Sequence, residues 1–293
     1  MEDRIITYGG QAVIEGVMMR GRTAMAVAMR APDGRVVVHK ERLGRLYRSR
    51  LTKIPFVRSV VVLWDALGLG MRALTIAANT QTGEDEKIEG PALYLALGAA
   101  LIFGIGLFFL LPAGVGALVE GQLGWSAWSS NLLEGLVRLV LLVGYVWGIG
   151  LLPDIKRVFA YHGAEHKTIN AYEAGAELTP ESVAGFSLEH PRCGTAFLLT
   201  LVLFSVVLFS ALGPLPLGWR LVSRIILLPV LAGVSAEYIR WTASHLDSAI
   251  VRGLIKPNLA LQALTTREPD ASMLEIAIAA FKTMRQAELD LAL

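Results

Sequence analysis

Four long apolar stretches constrain what this chain can fold into more than any other feature of its sequence. They are residues 92–119, 132–152, 194–213 and 219–242. About 20 apolar residues in a helix cross the hydrocarbon core of a bilayer, so each stretch is long enough to span a membrane. The composition agrees, because 54% of the residues are hydrophobic and only 18% are charged. The sequence therefore predicts a mainly α-helical integral membrane protein with a bundle of about four transmembrane helices within residues 92–245.

Basic residues are distributed unevenly around these stretches, and their distribution predicts the orientation of the chain. The first 91 residues hold fourteen Lys and Arg residues, whereas the connections 120–131 and 213–218 hold none. The middle connection, residues 153–193, and the segment after the last stretch hold several more. Cytoplasmic loops of membrane proteins are enriched in Lys and Arg. We therefore expect both termini and the middle connection to lie in the cytosol.

Residues 1–53 are predicted to form a small cytosolic cap that contains β-structure. The segments 24–30 and 35–41 flank Pro32-Asp33-Gly34, a turn sequence that favours a β-hairpin. Residues 13–19 form a further predicted strand.

The glycine-rich run at residues 9–16 lies at the start of this cap. It lacks the Lys-Ser/Thr ending of a phosphate-binding loop. We interpret it as a tight loop that leads into a strand, with an active-site loop as the alternative. Glu15 is the one side chain in the run that could serve a metal site.

Two further segments are predicted to be amphipathic or polar. Residues 54–91 carry charges at positions 58, 65 and 72, which would be costly at the centre of a bilayer, so we expect a membrane-surface helix followed by a polar linker. Residues 246–293 are predicted to form a cytosolic helical tail. Ser272 and Glu275 have the spacing of a capping box, and the apolar stripe of the final helix is expected to pack on the cap or on the membrane surface.

A few charged residues lie within or beside the apolar stretches. Glu134 and Arg138 are one helical turn apart near one end of their stretch, which indicates an interfacial ion pair. Glu237 is interpreted as an ion-pair partner of Arg240, with a ligand or a proton carrier inside the bundle as the alternative.

The middle connection contains the sequence His162-Gly-Ala-Glu165-His166. On a helix, predicted here for residues 154–175, the two histidines are one turn apart and the glutamate lies on the same side. Two imidazoles at this spacing can bind one divalent metal, and the carboxylate can be a third ligand or the general base for a bound water. The order His-x-x-Glu-His inverts the common metalloprotease sequence.

The pattern around this sequence indicates which side of the helix is packed. Both histidines continue an apolar stripe, whereas Lys167 is predicted to lie mostly on the other side. Burying two histidines and a carboxylate would be expensive without a metal or a charge network. Gly163 lowers helix stability by about 1 kcal/mol relative to Ala, which is tolerable if another backbone or a substrate approaches there.

The predicted topology brings further candidate ligands to the same cytosolic end of the bundle. His190, just before the third stretch, is the first choice for a third ligand, and Cys193 is the alternative. Cys193 could equally be a small buried hydrophobe, and because it is the single cysteine, an internal disulfide is excluded. His245 and Asp247, after the fourth stretch, are a possible ligand and its orienting group or an interfacial polar pair.

At residues 8–21, and again at 162–167, 190–194 and 264–270, the sequence resembles the YqhQ-type family of bacterial membrane proteins. That family is filed under a domain of unknown function and described as predicted metal-dependent enzymes. The resemblance covers nearly the whole chain and implies a protein of the bacterial cytoplasmic (inner) membrane with a metal site. It supplies no substrate and does not say which residues are ligands. The resemblance implies that six residues are functional candidates: Glu15, His162, Glu165, His166, His190 and Cys193.

Three functions are compatible with these features. The favoured one is a membrane-embedded hydrolase that uses a divalent metal, zinc first, with Glu165 as general base and a peptide, or next a lipid, as substrate. The second is a non-catalytic membrane scaffold with a structural metal or a polar cluster, which coordination of a metal by His162, His166, His190 and Cys193 together would favour. The third and weakest is a transporter, since no repeat of two halves is present. Membrane lipids are the expected surroundings, and a net charge of +2 does not indicate nucleic acid binding.

Overall fold

The computed structural model describes residues 8–43, 57–82 and 90–290. Within them the chain is mainly helical, with one four-stranded antiparallel sheet of order β1-β2-β3-β4. The strands are β1 (Gly9–Val13), β2 (Gly16–Arg20), β3 (Ala24–Arg30) and β4 (Val36–Arg42).

The predicted hairpin is confirmed, since β3 pairs with β4 across the Pro-Asp-Gly turn. The single strand predicted at residues 13–19 is wrong, because the chain reverses at Ile14-Glu15 and pairs β1 with β2. Glu15 takes a left-handed conformation, with φ 52°, in a turn that contains neither glycine nor asparagine. The interpretation of the glycine run as a loop is also wrong, because most of that run is strand β1.

Both faces of the sheet are covered by helices, which explains why its inner strands are almost entirely apolar. On one face, side chains such as Val17 and Met19 pack against α5 (Pro153–Glu173) and α11 (Ala271–Leu289). On the other face, side chains such as Met18 pack against α1 (Val57–Thr82). The successive side chains of β2 thus alternate between two separate cores.

The packing of the final helix on the cap confirms one of the two expected positions for it. The predicted cap of this helix is wrong, however. The N-cap residue is Asp270, whose side chain accepts a hydrogen bond of 2.9 Å from the backbone N–H of Met273. The carboxylate of Asp270 also accepts a hydrogen bond from the hydroxyl of Ser272.

Three of the described helices are long and apolar enough to cross a membrane, or four if one bent pair counts as a single span. The first, Leu93–Leu123, comprises α2 (Pro91–Ile105), a π-helical turn (Gly106–Leu110) and α3 (Leu111–Leu123). The others are α4 (Ala127–Ile149), α7 (Gly194–Ala211) and the pair α8 (Leu217–Ile226) and α9 (Leu228–Ala243). By length and composition these match the four predicted stretches.

The bent pair α8–α9 turns by 45° at Leu227. Pro229 is in the first turn of α9, and a proline cannot donate the hydrogen bond that would continue a helix. Two further helices complete the described part of the chain: α6 (Pro180–Ala184) and α10 (Ala249–Thr265). Helix α10 packs against α7 and α4, so part of the predicted tail is in contact with the bundle.

Helix α1 connects the sheet with the candidate membrane-spanning helices. It contacts both the sheet and α9. Near its start, Arg58 Nε donates a hydrogen bond of 2.7 Å to Glu237 Oε1 of α9, and a second guanidinium nitrogen bonds the other carboxylate oxygen. The predicted pairing of Glu237 with Arg240 is therefore wrong. A fork-shaped guanidinium satisfies both carboxylate oxygens at once.

The predicted ion pair of Glu134 and Arg138 is confirmed, and both side chains are buried inside the bundle. The Glu134 carboxylate is 2.7 Å from Arg138, 2.7 Å from Arg224 and 3.4 Å from Arg220. Asn131 Oδ1 also accepts hydrogen bonds from both arginines of α8. Buried charges are tolerated when each is paired and hydrogen-bonded.

Candidate metal centre

Helix α5, which follows α4, carries the His-x-x-Glu-His sequence and is buried through most of its second half. Gly163 lies where another part of the chain crosses the helix. A Cβ atom on Gly163 would lie 2.2 Å from the backbone oxygen of Arg267, and the Arg267 N–H donates a hydrogen bond of 3.0 Å to Phe159 O. Glycine is required there because another backbone approaches closely, as its position in the helix predicted.

The same crossing segment fixes the orientation of one histidine, and a loop fixes the other. His162 Nδ1 is 2.9 Å from the carbonyl oxygen of Thr265, and His166 Nδ1 is 2.6 Å from that of Leu188. A carbonyl oxygen only accepts, so Nδ1 of each ring carries a proton. In both rings Nε2 is then the nitrogen that faces the candidate centre, as in metal-binding histidines held by an outer hydrogen bond.

The two Nε2 atoms converge on Cys193, the N-cap residue of α7. His162 Nε2 is 3.1 Å from Cys193 Sγ, and one ligand atom from each of His162, His166 and Cys193 lies within 4.8 Å of the others. His166 Nε2 is buried and has no hydrogen-bond partner among the described residues. A buried nitrogen without a partner is costly, and a metal ion would satisfy it.

Glu165 lies beside this group and is almost fully buried. One of its carboxylate oxygens is 3.5 Å from His166 Nε2 and 3.9 Å from His162 Nε2. Strand β1 passes directly over this carboxylate at Gly10. A Cβ atom on Gly10 would lie 2.7 Å from Glu165 Cγ, so strand β1 can pass over the glutamate only where it has no side chain.

The electrostatics of the centre favour an anionic sulfur. Burial by itself raises the pKa of the Cys193 thiol, but the neighbouring imidazoles of His162 and His166 outweigh burial and hold the pKa well below its usual range. Burial also acts to lower the pKa of His162, yet the hydrogen bond and charge of Cys193 raise it to about 9. A pair of this kind can exchange its shared proton for a metal cation.

Burial raises the pKa of the Glu165 carboxyl, although the two neighbouring histidines oppose the shift. Burial and the charge of Arg192 lower the pKa of His190 to about 3, so this ring is neutral at physiological pH. The centre therefore combines a carboxyl group that binds a proton more readily than usual with a sulfur that binds one less readily.

His190, the first choice for a third ligand, lies next to the group rather than within it. Its ring centroid is 5.5 Å from that of His166, and its Nε2 is 3.3 Å from the guanidinium of Arg192. The backbone N–H and C=O of His190 both bond the side-chain amide of Gln262. The structure thus groups Cys193 with the two histidines.

The other predicted candidates lie outside this group. Glu15 is held by Arg157, with two hydrogen bonds of 2.6 Å, and its carboxylate also accepts from the Tyr161 hydroxyl. His245 is exposed, with Nδ1 2.8 Å from Trp241 O, and Asp247 is exposed as well. Glu237 bonds α1, as described above.

The prediction that Lys167 faces away from packed protein is wrong. Its side chain is buried, and Nζ donates to Ala184 O at 2.6 Å and lies 2.6 Å from a carboxylate oxygen of Glu268. Sequence reasoning also missed Thr265 and Leu188, which act through backbone carbonyls and leave no side-chain signal. The contact of Gly10 could have been suspected, since glycine inside a strand often marks a close approach.

The donor set fits a transition metal, and zinc in particular. Two imidazole nitrogens and a thiolate are ligands that zinc prefers, and three protein ligands with a neighbouring carboxylate are typical of a catalytic zinc site with one open position. His162 comes from one turn of α5, His166 from the next, and Cys193 from the start of α7. His162, His166 and Cys193 are therefore the residues that could hold such an ion.

A family model described as "Protein of unknown function (DUF1385)" matches residues 54–287. This chain belongs to the DUF1385 family. The uncharacterized protein YqhQ of Bacillus subtilis (strain 168) is 34% identical over 298 aligned residues, which cover 96% of this chain and 93% of that protein. These matches confirm the resemblance to the YqhQ-type family. No solved structure matches the chain. Neither match states an activity, so the function of this DUF1385 protein must be inferred from its candidate centre.

Proposed function

We propose that this DUF1385 protein is a membrane-embedded, metal-dependent hydrolase that cleaves peptide bonds. One observation carries the proposal: two imidazole Nε2 atoms and the Cys193 sulfur lie within 4.8 Å of one another, beside the buried carboxylate of Glu165. His162, His166 and Cys193 would hold the metal, for which zinc is the first candidate. A bound zinc would supply Lewis acidity, which polarises a carbonyl group and makes a water molecule easier to deprotonate.

Glu165 is the general base and acid of the proposed reaction. Its carboxylate accepts a proton from the attacking water as the water oxygen bonds to the scissile carbonyl carbon. When the C–N bond breaks, the same proton passes to the leaving amine, so the products are an amine and a carboxylic acid, which then ionises in water. Its raised pKa suits both steps, because a group that transfers a proton in both directions works best near the ambient pH.

The surrounding residues supply orientation and exclude bulk water. The carbonyl groups of Thr265 and Leu188 hold the two imidazoles, and strand β1 packs against the Glu165 side chain at Gly10. Of the histidines and the glutamate, His162 has the most exposed side chain, and only 14% of it is accessible. Weak solvation strengthens each of these electrostatic contacts.

The proposed location is the cytosolic mouth of a transmembrane bundle in a bacterial inner membrane. Two features support it. Helix α5 starts four residues after the candidate span α4 ends, and Cys193 precedes the candidate span α7. The basic residues that flank these spans favour the cytosol for this end of the bundle.

A structural metal site is the second candidate, and one observation favours it. Glu165 is close enough to the group to be a fourth protein ligand, and four protein ligands close a site to substrate. The protein would then be a membrane scaffold whose metal ion fixes α5 to the start of α7.

Metal content and hydrolysis together test the proposal. Full-length protein purified in detergent and supplemented with zinc is expected to hold one zinc ion per chain by mass spectrometry. His162→Ala and Cys193→Ala should lose that ion, whereas His190→Ala should retain it, which also separates Cys193 from His190 as ligands. Glu165→Gln should retain the metal and lose hydrolysis of a casein substrate.

The outcomes separate the two candidates. Zinc that is bound stoichiometrically but released by Glu165→Gln, without hydrolysis in the unchanged protein, would support the structural site. An absence of stoichiometric zinc, manganese or iron in the unchanged protein would refute both.

A further inference from the structure

The edge of the sheet next to Glu165 offers backbone groups that could bind a peptide. In the described sheet, β1 pairs only with β2, so its other side is an edge. Alternate residues of an edge strand direct their N–H and C=O groups away from the sheet. Which residues do so in β1 follows from the hydrogen bonds of its neighbours.

Hydrogen bonds at both ends of the β2–β3 ladder fix this alternation. Gly21 N–H bonds Ala24 O, and Arg30 N–H bonds Glu15 O, each at 2.9 Å. Alternate residues of β2 bond the same neighbour, so Val17 and Met19, like Glu15 and Gly21, direct their backbone groups to β3. The backbone groups of Gly16, Met18 and Arg20 therefore face β1. Their partners across the β1–β2 ladder are Val13, Gln11 and Gly9. The backbone groups of Gly10 and Ala12 therefore point outward.

The outward edge is accessible at the point nearest to the candidate centre. Gly10 is exposed, whereas Glu165 directly against it is buried. A Cβ atom on Gly9 would meet nothing within 4 Å, so no side chain of the described residues crowds that end of the strand. Paired glycines in a strand are typical of a place where another backbone approaches closely.

We infer that the substrate is an extended peptide that binds by adding a strand to the free edge of β1, opposite Gly10 and Ala12. The inference rests on the proposed function, since it names the substrate class of the same centre. A peptide paired there lies beside Glu165, because a Cβ atom on Gly10 would be only 2.7 Å from Glu165 Cγ and 3.0 Å from Glu165 Oε1. Main-chain pairing supplies affinity for many sequences, with side-chain contacts adding selectivity.

The test measures peptide binding, so it does not depend on turnover. The parent protein is full-length Glu165→Gln in detergent, supplemented with zinc. The probes are fluorescein-labelled, capped hexapeptides of Ala, Val, Thr and Leu, followed by fluorescence anisotropy. A second set has the same sequences with every amide N-methylated, which removes the donors needed for strand pairing.

Two matched proline substitutions locate the binding edge. Ala12→Pro removes an outward N–H from β1. Val38→Pro removes an outward N–H from β4, the strand at the opposite edge of the sheet. Arg35 and Leu43 bond β3, through Ala31 N–H to Arg35 O and Leu43 N–H to Thr23 O, so the even-numbered residues between them, Val38 included, direct their backbone groups outward. We expect Ala12→Pro to weaken binding at least about tenfold and Val38→Pro to leave it within about twofold, since only the first removes a hydrogen bond to the peptide.

Zinc content and thermal unfolding of both variants verify that they are folded. Equal binding to Ala12→Pro and Val38→Pro, or equal binding of methylated and unmethylated probes to the parent, would overturn strand addition while leaving a metal-dependent hydrolase possible. The methylated probes give this answer even if Ala12→Pro does not fold. If the zinc-supplemented protein holds no zinc but still binds the unmethylated probes more tightly than the methylated ones, the proposed metal-dependent hydrolase would be refuted and the peptide site would stand.

Discussion

Substitution of Gly163 by alanine should destabilise the protein although alanine is the better helix former. The new Cβ atom would lie 2.2 Å from Arg267 O and 2.7 Å from Leu188 Cδ2, so the crossing backbone must move by about 1 Å to reach an ordinary contact distance. Overpacking of this kind costs about 1–3 kcal/mol, and losing the hydrogen bond from Arg267 to Phe159 costs about 1 kcal/mol. The gain in helix propensity is about 1 kcal/mol, which leaves a net loss of about 1–3 kcal/mol.

The same displacement should weaken metal binding. Thr265, which orients His162, is two residues from the displaced carbonyl of Arg267. Loss of an outer hydrogen bond to a ligating histidine reduces metal affinity by about 10- to 100-fold. The assays are thermal unfolding in detergent and zinc titration against a competing chelator.

Gly253, inside α10, is the matched control. It is exposed and a Cβ atom there would meet nothing within 4 Å, so Gly253→Ala should stabilise the protein by up to about 1 kcal/mol and leave zinc affinity unchanged. If Gly163→Ala were as stable as the parent, with unchanged zinc affinity, the close backbone crossing would not be what holds His162.

Two other substitutions test features away from the centre. Glu134→Gln leaves three buried arginines with less compensating charge and should lower stability by about 3 kcal/mol in thermal or denaturant unfolding. Glu120→Gln, at a partly exposed partner of Arg220, should cost less than about 1 kcal/mol, and equal effects would contradict burial of the cluster. The hydrogen bond from Arg157 lowers the pKa of Glu15 in the folded protein. The stability that this pair adds is therefore fully present above the pKa of a glutamate in the unfolded chain, about 4.3, and is lost as the pH falls through the lower pKa of the folded state. Unfolding measured across pH should therefore show Glu15→Gln less stable than the parent near pH 7 and the difference shrinking below about pH 4, and a difference independent of pH would refute this pairing.

The sequence predicted the parts of the fold that depend on local periodicity. The apolar stretches, the β3–β4 hairpin and the helix that presents His162 and His166 on one side all have signals confined to neighbouring residues. The first turn of the sheet was missed because it uses Glu15 with a positive φ rather than glycine or asparagine.

Contacts between distant segments could not be predicted in this way. The arginines that surround Glu134 include two from α8, which is separated from it by more than 80 residues. Similarly, the choice between His190 and Cys193 depends on Gln262, which holds the His190 backbone, and on Arg192, which bonds its ring. These are consequences of packing, and a single sequence carries no periodic signal for them.

The position of α11 against β2 and β3 determines the order in which this molecule can be completed during synthesis. The strands leave the ribosome before α11, the helix that covers one of their faces and that follows all the candidate spans in the sequence. Before α10 and α11 are made, the apolar side chains of that face have only some of their partners, α5 among them, and the carbonyl of Thr265 that orients His162 is absent. A chain released before this segment is made would thus lack both a finished sheet and an oriented histidine, so the centre forms only after Thr265 and α11 have been translated.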